Sequence, residues 1–213
     1  MAGVAAATYL AAQMLGIAAL GLVAKPVPAL ALAVWVATAG RGALVRAVAT
    51  GLVLSAIGDV LLDLEGRFVP GLLAFLGAHL AFAAGFTVDV RRLAPLRALP
   101  FLGYATGMLL FLHSDLGPMF LPVACYALAF TSDMWRAAAR VGARGRAARQ
   151  EWWVLLGTLS FAVSDSLIAL DRFHAEISHA RVPIIGLYWL GLLGIAAGVA
   201  TESDADARLG GRP

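Results

Sequence analysis

The hydrophobic positions of this chain fall into long unbroken runs, with neither the strict alternation of a half-buried strand nor the narrow stripe of a surface helix. A helix needs roughly 20 apolar residues to cross a bilayer core, and a window of that length finds eight runs. They lie near residues 4–23, 27–40, 47–64, 70–88, 95–113, 117–136, 152–170 and 183–201. Glycine and proline mark the joints: Lys25-Pro26 after the first run, Pro70 and Pro183 where helices can begin with proline, and HSDLGP between the fifth and sixth. The pattern predicts an all-α fold, a polytopic membrane bundle of about eight transmembrane helices. Residues 1–201 form a single domain on this reading, followed by a short polar C-terminal tail over 202–213.

Composition sharpens the class. Apolar residues make up 61% of the chain and charged residues 14%, with a mean hydropathy of +0.85. That balance is expected of an integral, multi-pass membrane protein and leaves no soluble domain of useful size. The N-terminal apolar stretch lacks a basic leader, so it reads as a retained span. A single cysteine, Cys125, cannot form an internal disulfide, and four scattered histidines give no zinc pattern. No metal and no cofactor is expected.

Charge then orients the bundle. With eight spans, one side carries Arg41, Arg46, Arg91, Arg92, Arg97, Arg136, Arg140, Arg144, Arg146, Arg149, Arg208 and Arg212, and the other only Lys25, Arg67, Arg172 and Arg181. The excess of Lys and Arg belongs on the cytoplasmic side, so both termini are expected there, in a bacterial inner (cytoplasmic) membrane. The run RAAARVGARGRAARQ, 136–150, reads as a topology anchor at anionic headgroups. It has none of the base-reading features of a nucleic-acid surface, so no nucleic-acid partner is expected.

Carboxylates inside such runs are costly in hydrocarbon and ask for a partner or a task. Asp59 lies about five residues from the outer end of the third run, and Asp165 about five from the outer end of the seventh. At 1.5 Å per residue both sit roughly 7 Å inside the outer boundary. A common depth on two helices is what a shared site requires. Lys25, at the outer turn, lies at a similar level and is free to snorkel or pair with one of them. His79 lies deeper in the fourth run, where a cavity contact and an interhelical hydrogen bond are equally open. Asp63 is expected at the interface, and Glu65 and Asp171 at headgroup level. HAEISH, residues 174–179, lacks a regular metal-ligand spacing and reads as a loop. The glycine pairs Gly103/Gly107 and Gly194/Gly198 are expected to let helices approach closely. Trp152 and Trp153 read as interface anchors.

The same stretches carry a resemblance. SAIGDVLL (55–62), AFLGAHLAF (74–82), YALAFTSDMWRAA (126–138), FAVSDSLIALDRF (161–173) and the Lys25-Pro26 pair resemble, in order, the lysoplasmalogenase family of YhhN-like membrane proteins. The resemblance implies a small eight-helix bundle that hydrolyses the vinyl ether bond of lysoplasmalogens to a fatty aldehyde and a glycerophospho-alcohol. It also implies that Asp59 and Asp165 match the family's two motif aspartates. Phe82 stands where a tyrosine is common, and Leu192 where glutamine is expected after the pair Tyr188-Trp189.

Vinyl ether hydrolysis begins with proton transfer to the outer alkene carbon and passes through an oxocarbenium ion that water captures. It therefore needs an acid that holds its proton near neutral pH, and a partly dry cavity with two carboxyls is the environment that supplies one. Asp165 is assigned as donor and Asp59 as stabiliser and base, a division of labour like that of glycosidases, with about 4 to 9 Å expected between the carboxyls. Lys25, His79, Ser164, Tyr188 and Arg172 are the candidate substrate-binding residues, with a lysophospholipid as substrate and membrane lipids as surroundings. None of the serines has the histidine partner that a serine hydrolase needs. A proton-coupled transporter or lipid-binding membrane protein is the alternative, since paired intramembrane aspartates also relay protons.

Overall fold

Proline and glycine set the helix ends much as the sequence pattern predicts. The computed structural model describes Tyr9, residues 18–143 and residues 149–210. Within them α1 spans Ala18–Ala24, α2 Val27–Ala39, α3 Ala43–Asp63, α4 Phe68–Asp89, α5 Leu99–Leu116, α6 Phe120–Arg140, α7 Arg149–Ala169 and α8 Arg181–Gly210. Prolines fall in the first turn of α2, α4, α5 and α8, where the missing N–H costs no helical hydrogen bond. Gly117, with φ +47°, makes the turn between α5 and α6 that HSDLGP predicts. The first predicted run, 4–23, lies for the most part outside the described residues.

Six helical runs are long and apolar enough to cross a membrane: Ala19–Ala39, Ala43–Asp63, Phe68–Asp89, Pro95–Arg140, Arg149–His174 and Arg181–Glu202. The Pro95–Arg140 run is 46 residues long and contains the Gly117 turn, so it holds both α5 and α6. The Ala19–Ala39 run likewise takes in α1 and α2 across Lys25-Pro26. Helix α8 continues to Gly210, past the boundary at 201.

The closest packing pairs α3 with α4 and α7 with α8. Small residues make it possible. A Cβ on Gly157 of α7 would lie 2.7 Å from the Gly191 carbonyl oxygen, and one on Gly194 of α8 would lie 2.9 Å from Gly157 Cα, so backbone meets backbone here. The Gly194/Gly198 pair is thus a close approach, as expected. The Gly103/Gly107 pair is not: a Cβ at either meets nothing within 4 Å, because that face of α5 is turned outward. Phe82 is fully buried with its ring over Gly51, and Leu192 is fully buried in the apolar core, so both departures from the family pattern fill space.

The arginine-rich end also departs from expectation. Arg136 and Arg140, expected among headgroups, are buried at 3% and 0% exposure. Arg140 Nε donates to Asp89 Oδ2 at 2.7 Å and Nη2 to Glu202 Oε2 at 2.5 Å, tying α6 to α4 and α8. Arg136 donates to the carbonyls of Val90, Arg92 and Leu93, which the end of α4 leaves without helical partners. Buried guanidinium groups bonded to carboxylates and carbonyls of neighbouring segments are clamps. The rest of the basic run, 144–148, lies outside the described residues.

Candidate active site

At the opposite end, α3, α4, α6, α7 and α8 converge on buried polar groups whose helical spacing brings them inward. His79 of α4 is fully buried and bonds on both ring nitrogens. Nδ1 lies 3.0 Å from Asp133 Oδ2, and Nε2 lies 3.2 Å from Asp165 Oδ2 and 3.2 Å from Tyr126 Oη. The Tyr126 hydroxyl donates to the same Asp165 oxygen at 2.8 Å. The Tyr126 hydroxyl and His79 Nε2 therefore both meet Asp165 Oδ2, and neither engages Oδ1.

Asp59 of α3 is 1% exposed, and its Oδ2 accepts the Tyr188 hydroxyl at 2.7 Å. Phe161 packs against both His79 and Tyr188. Its ring centroid lies 4.6 Å from that of His79 and 5.1 Å from that of Tyr188, with Phe75 edge-on at 6.0 Å. Each aspartate thus has its own tyrosine, and His79 and Tyr188, the rings beside them, share Phe161 as a neighbour.

An apolar pocket of about 50 Å³ reaches this site. Asp165 and Tyr126 are the polar groups in its wall, among Leu62, Leu72, Phe75, Val123, Phe173 and their neighbours; Asp59 and Tyr188 are not in the lining. Leu62, Phe68 and Ile168 separate it from a cleft of about 190 Å³ lined also by Tyr9, Lys25, Asp63, Asp171, Arg172 and Arg181. The cleft combines three cations with two carboxylates. Lys25 Nζ pairs with Asp63 Oδ1 at 2.7 Å, one turn above Asp59, rather than with Asp59 or Asp165. Asp63 is accordingly only 16% exposed and sits in an ion pair. The Arg172 guanidinium lies over the Phe68 ring, 3.7 Å from its centroid, at the rim between cleft and pocket.

A π-helical turn, Leu170–His174, sets this rim. Single π turns re-aim side chains and recur at functional sites. Here Arg172 and Phe173 both turn onto Phe68, while His174 Nδ1 lies 2.8 Å from Asp115 Oδ2. The chain from Ala175 is a loop, as HAEISH predicts.

Of the sequence-predicted residues, His79 and Asp165 are brought into one hydrogen-bonded cluster, and Tyr188 with Asp59 into a second. Lys25 and Arg172 line the cleft above. Ser164 is placed elsewhere: it is 1% exposed and donates to the Ile184 carbonyl at 2.8 Å, joining α7 to α8. Sequence reasoning missed Tyr126 and Asp133. They stand seven residues apart on α6, two turns and one face, and that spacing, with His79 already suspect, is the signal that could have found them. Among the described residues no group of three or more His, Cys, Asp or Glu side chains is arranged to hold a metal ion.

Comparison with known proteins adds relatives to this geometry. The YhhN family model matches residues 20–199. The chain is 35% identical over 169 residues to human lysoplasmalogenase TMEM86B, covering 78% of this chain and 69% of the relative. It is 31% identical over 175 residues to TMEM86B of Sus scrofa, covering 79% and 70%. It is 32% identical over 157 residues to the lysoplasmalogenase of Mycobacterium tuberculosis, covering 69% of this chain and 58% of the relative. No solved structure matches the chain.

Proposed function

We propose, from the fact that this chain belongs to the YhhN family, that it hydrolyses the vinyl ether bond of lysoplasmalogens. Relatives named lysoplasmalogenase support the substrate class. The observation that carries the chemistry is Asp165, an acid in the wall of an apolar pocket with the Tyr126 hydroxyl and the His79 ring on one oxygen.

The apolar pocket is assigned to the vinyl ether end of the substrate's chain, and the cleft of Lys25, Arg172 and Arg181 suits its phosphate. Asp165 and Arg172 are seven residues apart, roughly 10 Å along a helix axis. The vinyl ether, a few bonds from the phosphate, comes to rest near Asp165 on this arrangement. Protonated Asp165 gives its Oδ1 proton to the outer alkene carbon, breaking the carbon–carbon π bond and leaving an oxocarbenium ion. Charge developing on Asp165 is met by the Tyr126 hydroxyl and His79, already in place and in a site of low dielectric. Water adds to the cation and returns a proton to Asp165, giving a hemiacetal that collapses to fatty aldehyde and glycerophospho-alcohol. Asp59 stabilises the cation through space, with Tyr188 holding its carboxyl in place.

The finer topology belongs to the same proposal: eight spans with both termini cytoplasmic, supported by the twelve basic residues assigned to one side against four on the other. The cleft then opens on the outer face. The test of function is release of fatty aldehyde from a lysoplasmalogen by purified protein, with Asp165→Asn as the inactive control. A wild type that releases no more aldehyde than Asp165→Asn contradicts the proposal.

A further inference from the structure

Asp133 is the acidic group nearest this site that the mechanism above leaves without a task. It is fully buried on α6, and its Oδ2 faces His79 Nδ1 at 3.0 Å. Its other oxygen, Oδ1, is buried with no hydrogen-bond partner. A carboxylate kept only to knit helices together is expected to have both oxygens satisfied, because an unpaired buried acceptor is costly. Asp133 instead has one hydrogen-bonded side chain, and that side chain is the one that reaches Asp165. The three groups form a line across three helices: Asp133 on α6, His79 on α4, Asp165 on α7.

Histidine has two ring nitrogens, and the bond made by one fixes what the other can offer. A neutral imidazole has one proton to place. Without a carboxylate at Nδ1, His79 Nε2 is as free to accept the Tyr126 hydroxyl as to donate, and Tyr126 then turns away from Asp165. With Asp133 ionised one ring proton is held at Nδ1, and because Nε2 also faces a carboxyl oxygen, Asp165 Oδ2 at 3.2 Å, the doubly protonated ring is the form that satisfies both contacts, with Nε2–H donating toward Asp165 Oδ2.

We infer that Asp133 is a positioning residue for the proton transfer: it holds His79 as a two-proton donor, so that Asp165 Oδ2 receives Nε2–H and Oδ1 is the oxygen that delivers its proton to substrate. When Asp165 ionises in the transition state, the ring beside it already carries the compensating charge. No proton leaves the Asp133–His79 pair in the cycle; the pair supplies orientation and charge. The inference rests on the hydrolase reading of Asp165.

The experiment measures Asp133→Asn on two readouts. Asparagine keeps the volume and a hydrogen bond to Nδ1 but removes the charge. Steady-state aldehyde release is expected to show kcat lowered about 10- to 100-fold, the loss typical of a residue that orients a reacting group's neighbour, with KM changed less than about twofold because the cleft and pocket are untouched. In parallel, the protein labelled with ¹⁵N-histidine reports the His79 ring, assigned with His79→Ala. Wild type is expected to show both ring nitrogens protonated, and Asp133→Asn only one of them. Asp133→Ser, smaller and uncharged, is the second variant and is expected to show the same split if the asparagine protein does not fold. A wild-type kcat in folded Asp133→Asn, a loss confined to KM, or a His79 ring with unchanged resonances overturns the inference. A wild type that releases no aldehyde sinks the hydrolase reading instead, and the His79 resonances still decide whether Asp133 sets the ring's protons.

Discussion

At the scale of single residues Asp165 and Asp59, which lie in separate hydrogen-bonded clusters, have unlike duties in the proposed mechanism. Asp165→Asn keeps volume but cannot deliver a proton, so kcat is expected to fall by about 10² to 10⁴, the range for loss of a general acid. Tyr126→Phe removes one of two donors on Oδ2 and is expected to cost about tenfold in kcat, as one transition-state hydrogen bond does. Both are read by aldehyde release, and equal rates for Tyr126→Phe and wild type would mean that the tyrosine does not serve Asp165. Asp59→Asn is expected to lower kcat as well, and its loss is expected to be non-additive with that of Asp165→Asn, since both act on one step. Asp59 and Asp165 were conspicuous in the sequence because carboxylates stand out in apolar runs, and the structure places them in two hydrogen-bonded clusters. Asp133 was no less buried, but it lies near the basic end of its run, where an acid reads as an ordinary interfacial charge. Lys25 shows the converse. Its expected partners were Asp59 or Asp165, and helix rotation, invisible to a hydropathy window, brings Asp63 under its ammonium group instead.

Helix pairs show where pattern reading stops. Two GxxxG motifs look alike on paper, yet only Gly194/Gly198 faces another backbone, while Gly103/Gly107 faces outward. The motif records that a close approach is possible, and the neighbour's own small residue, here Gly157, decides whether it occurs. Gly157→Ala is therefore expected to destabilise the bundle by about 1 to 3 kcal/mol through overpacking. Gly103→Ala is expected to be neutral or stabilising by up to about 1 kcal/mol, because it meets only the helix-propensity gain. Equilibrium unfolding in mixed detergent measures both, and a larger loss at Gly103 than at Gly157 would contradict the packing described. Arg140 is the matching case for charge. Its place in a basic run suggested headgroups, but the helix turns it onto Asp89 and Glu202. Arg140→Ala is expected to cost about 3 to 5 kcal/mol, the effect of removing one partner of a buried ion pair, and a change near zero in the same unfolding assay would restore the lipid-facing reading.

For the whole molecule, the apolar runs were legible because a bilayer imposes one length and one composition on whatever crosses it. Their division was less so: Lys25-Pro26 and Gly117 turn the chain within stretches that remain continuously apolar, so the described residues hold six membrane-length runs where the hydropathy pattern gives eight. Reporter fusions after Arg149 and after Arg181 resolve the orientation, and opposite sides are expected. The same side for both would break the eight-span arrangement and the outer position of the cleft. The central claim is that Asp165 protonates a vinyl ether carbon, and isotope transfer tests it most directly. Purified protein is incubated with a lysoplasmalogen in D₂O and the products are weighed by mass spectrometry. The account predicts fatty aldehyde with one deuterium on the carbon next to the carbonyl, released by wild type and not by Asp165→Asn. A wild type that releases no aldehyde from any vinyl ether lipid, yet moves lipid or protons across liposomes, contradicts it and leaves the transporter.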